Sequence, residues 1–130
     1  MPKRKKPNIE LYSYGIYSSW DRNSRDLPKL KAVTTEIPVT SDVEFGYVLK
    51  IKGGKGEVLE FVIDHPPFPD KDGKTAPPFT GEVVINSNDW GFFLGDTVWQ
   101  PYEDKAGKWE LITRLRGKEI ARKVFSLFMP

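Results

Sequence analysis

Apolar residues recur at every second position through most of this chain, the period of a β-strand rather than the 3.6-residue period of a helix. The clearest case is Phe45, Tyr47, Leu49 and Ile51, which alternate with Glu44, Gly46, Lys50 and Lys52 and predict a half-buried strand. Gly53-Gly54-Lys55-Gly56 then turns the chain, and residues 57–63 return with Leu59, Phe61 and Ile63 on one face. Together they read as a β-hairpin. Upstream, a strand is expected over residues 9–17, with Tyr12, Tyr14 and Ile16 on one face and Ile9 and Leu11 on the other. Residues 18–29 are polar and contain Pro28, which argues against a helix there. Residues 30–39 form the second expected strand, and Pro38 places its end at an edge or a bulge.

A long connection follows over residues 64–81, with two Pro-Pro-Phe triplets at Pro66-Pro67-Phe68 and Pro77-Pro78-Phe79. Each proline fixes φ, so the connection should be stiff and extended. Val83-Val84-Ile85 marks a fifth strand over residues 82–86. Asn86-Ser87-Asn88-Asp89 offers helix N-cap residue types, and Gly95 would end a single helical turn carrying Trp90, Phe92, Phe93 and Leu94. A sixth strand is expected over residues 96–102. In the seventh, Trp109, Leu111, Thr113 and Leu115 alternate with Glu110, Ile112 and Arg114, and Arg116-Gly117-Lys118 turns into an eighth over residues 119–128. Seven to eight short strands without a helix of ten residues predict an all-β antiparallel sandwich. A five-stranded oligonucleotide-binding barrel has too few strands to use them all.

Composition supports that class. Val, Ile and Thr total 25 and aromatics 17, against only 4 Ala in 130 residues, which disfavours a helical bundle. No apolar run approaches the roughly 18 residues of a membrane-spanning helix. There is no Cys, so disulfides, thiolate metal ligands and a thiol nucleophile are excluded. The net charge of +2 divides unevenly: residues 1–7 hold four cations and no anions, leaving 16 cations against 18 anions and a net of −2 in the rest. The basic head resembles the start of a signal peptide, but no apolar stretch follows it. We therefore expect a disordered basic tail at residues 1–7, a single domain at 8–130 and a cytoplasmic location. Nucleic-acid binding would fall to that tail alone, and a solvated terminus is the plainer account.

The stretch from Gly95 onward, with Gly-Asp-Thr-Val-Trp at 95–99 and Gly-Lys-Trp at 107–109, resembles the last strands of bacterial immunoglobulin-like domains. Over residues 11–128 the chain also resembles a bacterial domain-of-unknown-function family. The motifs that carry this likeness are Ser-Tyr-Gly-Ile-Tyr at 13–17, Pro-Pro-Phe-Thr-Gly-Glu at 77–82 and a Trp-rich end. The resemblance implies an immunoglobulin-like β-sandwich and carries over no catalytic residue.

Candidate chemistry is sparse. His65 is the only His and follows Asp64. The pair could orient a general base for a small hydrolase, with Ser18, Ser19 or Ser87 as nucleophile, but a strand-end His bonded to backbone is the plainer reading. One His and no Cys cannot supply the usual three-ligand zinc site without unusual use of carboxylates. Asp70-Lys71-Asp72-Gly73 begins like a calcium loop, yet its lysines and its Asp-Gly pair fit an ordinary turn. Pro66-Pro67-Phe68-Pro69 matches the P-x-x-P pattern, and a rigid packed connection explains it as well. Gly53-Gly54-Lys55-Gly56 joins two strands and opens no helix, so it is no phosphate loop. Large aromatics outside the alternating strands carry most weight, since they can anchor a partner or plug the end of a sandwich. The expected function is a non-catalytic binding or protein-interaction module, with no cofactor and no metal. Its surface would combine Trp20, Asp21, Arg22, His65, Phe68, Phe79 and Trp90. Its partner would be a protein or small ligand, with no membrane role, and the chain would be a monomer or an edge-strand homodimer.

Overall fold

Alternation of apolar and polar residues is satisfied by two sheets laid face to face, each presenting one face to a common core. A computed structural model describes residues 6–18 and 27–130. The strands are β1 (Asn8–Tyr17), β2 (Leu30–Ala32), β3 (Glu36–Pro38), β4 (Glu44–Lys52), β5 (Val58–Asp64), β6 (Phe79–Val84), β7 (Asp89–Thr97), β8 (Gly107–Leu115) and β9 (Lys118–Phe128). One sheet has the order β2-β1-β4-β7, the other β3-β9-β8-β5-β6. The fold is an all-β, immunoglobulin-like sandwich, as the periodicity and the resemblance imply. Residues 1–5, which include most of the basic head, and 19–26, which include Trp20, Asp21 and Arg22, lie outside the described residues.

Three local expectations are corrected. The expected strand over 30–39 is two strands in different sheets. β2 pairs with β1, whereas β3 runs parallel to β9. Between them the Thr34 hydroxyl accepts a 3.0 Å hydrogen bond from the Glu36 amide, a side-chain turn that redirects the backbone. In β1 the pairing with β4 shifts register between Leu11 and Ser13. This bulge puts Ile9, Leu11, Tyr14 and Ile16 together against the core and leaves Tyr12 62% exposed, because an extra residue inverts the alternation beyond it.

The third correction concerns residues 89–102. No helical turn forms there; Trp90 to Leu94 belong to the nine-residue strand β7, and residues 98–106 are a loop. Phe92 and Leu94 enter the core while Phe93 faces outward onto Tyr17, Val48 and Leu27. A capping residue is worth about 1 kcal/mol. That is too little to compete with a ladder in which every residue from Asp89 to Thr97 is matched to β4.

The central core is aromatic. Phe45 meets Trp109 and Phe125 edge-on, each at 5.5 Å between ring centroids. Across the sandwich the hydroxyls of Tyr47 on β4 and Thr113 on β8, both fully buried, share a 2.6 Å hydrogen bond. Burial pushes the Tyr47 hydroxyl well above the usual tyrosine range, with the Thr113 bond opposing the shift, and burial pushes Tyr17 the same way. The unfolded chain ionises tyrosine near pH 10, while the folded chain holds Tyr47 neutral. This contribution to stability is therefore complete below about pH 10 and is lost as pH rises beyond it. Tyr47→Phe should flatten that alkaline decline and cost about 1–3 kcal/mol at neutral pH, since the Thr113 hydroxyl loses its partner. Urea midpoints at neutral pH and above pH 10 check this; equal alkaline losses in the two proteins would contradict it.

Candidate functional site

The proline-rich connection folds back over one end of the sandwich and is held there by His65. Its ring stacks on Phe68 at 4.2 Å and lies 4.7 Å from Phe79 and 5.7 Å from Trp109. Nδ1 lies 2.8 Å from the Pro66 carbonyl oxygen and Nε2 2.8 Å from that of Pro77, so the imidazole clips the two ends of the connection together. Phe68 is buried, and Trp99 meets it edge-on at 5.7 Å. The expected anchors His65, Phe68 and Phe79 are thus brought together, but largely as a plug that closes the core. Trp90 is elsewhere: it stacks on Phe92 at 5.8 Å, beside Leu27, Lys50 and Asp89.

Lys105 completes the plug, and nothing in its polar sequence neighbourhood signals this. It is only 1% exposed. Its ammonium lies 2.6 Å from Asp104 Oδ1 and 3.0 Å from the Pro101 carbonyl, and 4.6 Å from the centroids of Phe68 and Trp99. A buried cation requires such company, and the two rings add cation–π attraction. The Lys105 carbonyl in turn accepts the indole N–H of Trp109 at 2.8 Å.

The other candidates resolve into structural roles. Both His65 ring nitrogens face carbonyl oxygens, so neither is directed at a hydroxyl. The Ser18 hydroxyl accepts from the Lys29 amide and that of Ser87 donates to the Asp89 carbonyl. Asp70 Oδ1 accepts from the Asp72 and Lys74 amides at 2.8 and 3.1 Å, a side-chain-capped turn closed by the Pro69–Thr75 bridge. In Pro66-Pro67-Phe68-Pro69 the aromatic points inward, as a packed connection requires.

What the sequence did not reveal is a groove on the flank of the sandwich. Strands β6 and β7 end their respective sheets on the same side. Between them lies a cleft of about 420 Å³, floored by Phe61, Ile63, Phe79, Val83, Phe92 and Leu94. Glu82 and Asp96 stand at its rims. Among the described residues, Phe79 is the one expected anchor that lines it. The groove is built by residues from three strands that are separate in sequence, so no motif marks it.

Among solved structures the chain is similar to an immunoglobulin-like protein from Pseudomonas aeruginosa. The identity is 21%, the TM-score 0.73, and the match covers 98% of this chain and 100% of that one. Fainter likenesses are to a Pseudomonas fluorescens alkylpurine DNA glycosylase (12% identity, TM-score 0.42, 72% of this chain and 27% of that one) and to a CARDB domain from Pyrococcus furiosus (10% identity, TM-score 0.38, 95% and 96%). No curated protein matches the chain. Among the described residues no helix is long and apolar enough to cross a membrane. A family model described as Domain of unknown function (DUF3859) matches residues 5–127, and the chain belongs to that family.

Proposed function

We propose that this domain is a non-catalytic protein-interaction module that binds its partner in the groove between β6 and β7. The observation that carries this reading is an apolar floor lying open between two sheet edges. Apolar clefts of this size commonly hold a ligand or a partner side chain. The aromatic end supports the site from behind: His65 and Trp99 pack on Phe79 at 4.7 and 6.0 Å and fix the end wall of the cleft. Its side chains are thereby preorganised, which lowers the ordering cost of binding.

Selection of random peptides on the immobilised full chain tests the reading. Enriched peptides should perturb the amide resonances of β6 and β7 and leave those of β2 and β3 unchanged. A selection that enriches nothing, or peptides that map away from the groove, would overturn it. A concentration-dependent dimer with the same resonances perturbed would assign the groove to a second copy instead and would equally overturn capture of a foreign partner.

A further inference from the structure

The four strands that end the two sheets are not alike. β2 is three residues long and carries Lys31, and β3 is three residues long and ends in Pro38. Short length, lysine and proline are the usual means of making a sheet edge unfit for pairing. β6 and β7 are six and nine residues long and contain no Lys, Arg or Pro. Among the described residues β7 pairs with β4 alone and β6 with β5 alone. Among the described residues, the flank that holds the groove is therefore the one whose edge strands show none of these three devices.

That flank is also rich in carboxylates. β5, β6 and β7 carry Glu60, Asp64, Glu82, Asp89 and Asp96 and no cation. Glu82 stands directly opposite Glu60 in the β5–β6 pairing, and Arg114 of β8 faces Glu60 from the other side, offsetting part of the cost of the like-charge pair. A cationic occupant beside Glu82 on the edge strand would offset the remainder. A second copy of this flank would add to it, since it brings the same carboxylates face to face.

We propose that the groove takes an extended, lysine- or arginine-bearing segment of a partner protein, which adds as a further strand to the edge of β7. Alternate side chains of such a strand point to opposite faces. Apolar ones would enter the cleft over Phe61, Val83 and Leu94, while cationic ones reach the rims at Glu82 and Asp96. Backbone pairing would supply affinity, and the apolar floor and acidic rim selectivity. This inference rests on the groove being the interaction surface and adds the chemistry of what it binds.

Three labelled nine-residue peptides, matched to the length of β7, test it by fluorescence anisotropy with the full chain. One alternates valine and lysine, one valine and glutamate, and the third is the valine–lysine peptide methylated on every second backbone nitrogen. The valine–lysine peptide should bind, more weakly as salt is raised. The valine–glutamate peptide should bind at least about tenfold more weakly, and backbone methylation should also remove binding. Glu82→Gln combined with Asp96→Asn should weaken the valine–lysine peptide by roughly threefold to tenfold with the melting transition retained. Equal binding of the lysine and glutamate peptides would overturn the proposal. So would undiminished binding of the methylated peptide, which would show charge attraction without strand pairing. Groove-binding peptides with no cationic bias in the selection described above would sink this inference and leave the interaction reading standing; absence of any groove-binding peptide would sink both.

Discussion

Gly46→Ala is expected to abolish cooperative folding. Gly46 is the third residue of β4 and has φ +155°, a backbone conformation that L side chains rarely adopt. A Cβ there would sit 2.1 Å from the Leu94 carbonyl oxygen and 2.6 Å from the Gly95 Cα. Both are backbone atoms of β7 and cannot swing aside as a side-chain tip would. Gly46 is flanked in register by Gly15 on β1 and Gly95 on β7, so three strands approach closely along one row. At Gly15, φ is +136° and a Cβ would meet the Ala32 carbonyl oxygen at 1.9 Å. Holding a non-glycine residue in a sparsely populated backbone conformation costs about 1–3 kcal/mol, and the collision with β7 adds to it. Domains of this kind are stable by only about 5–15 kcal/mol. Circular dichroism on heating should show no cooperative transition for Gly46→Ala. Gly53→Ala is the control: Gly53 also has a positive φ, +82°, but no atom lies within 4 Å of its Cβ position, so the variant should lose no more than about 1–2 kcal/mol. If Gly46→Ala melted within a few degrees of the parent, the glycine row would not be required by the fold.

Trp109→Ala should be the most damaging change in the aromatic end. The indole is fully buried and touches both the central core, through Phe45, and the plug, through His65, Phe68 and Trp99. Truncating a buried tryptophan costs about 3–5 kcal/mol, and losing the bond from its N–H to the Lys105 carbonyl adds about 1 kcal/mol. The loss should be unevenly distributed. Residues 64–79 and 98–106 touch each other directly and both pack on this side chain, so both should become accessible to protease before the β4–β7 pairing opens. Urea denaturation gives the magnitude, and the order of cleavage sites gives the distribution. Uniform loss of protection across both sheets, or a cost below about 1 kcal/mol, would show that Trp109 does not join the plug to the core.

Much of the architecture was legible in residue order because strand alternation is a local signal. Phe45 to Ile51, Leu59 to Ile63 and Trp109 to Leu115 each declare an inward face without reference to the rest of the chain. The same reasoning failed where a distant partner overrode a local preference. Asn86 to Asp89 offer helix-capping groups, yet β4 recruits the following residues into a strand. Leu30 to Val39 read as continuous, yet the bend at Thr34 sends its two halves to different sheets. The bulge at Tyr12 moved Ile9 and Leu11 to the face occupied by Tyr14 and Ile16. The aromatic end was read as a set of anchors because proline-rich loops carry no alternation to say which way Phe68 points.

Residue order by itself determined the class of fold, the β4–β5 hairpin and the strands with clear alternation, the absence of cysteine chemistry and the mild acidity of the body. It did so because each of these depends on composition or on neighbours one or two positions away. Only the tertiary structure decided that His65 clips the connection, that Lys105 is buried between Phe68 and Trp99, and that β6 and β7 leave an apolar, acid-rimmed cleft on one flank. Those features depend on how loops fold back and sheets pack, bringing Lys105 onto Phe68 and β5 and β6 beside β7, contacts that no local pattern of residues encodes.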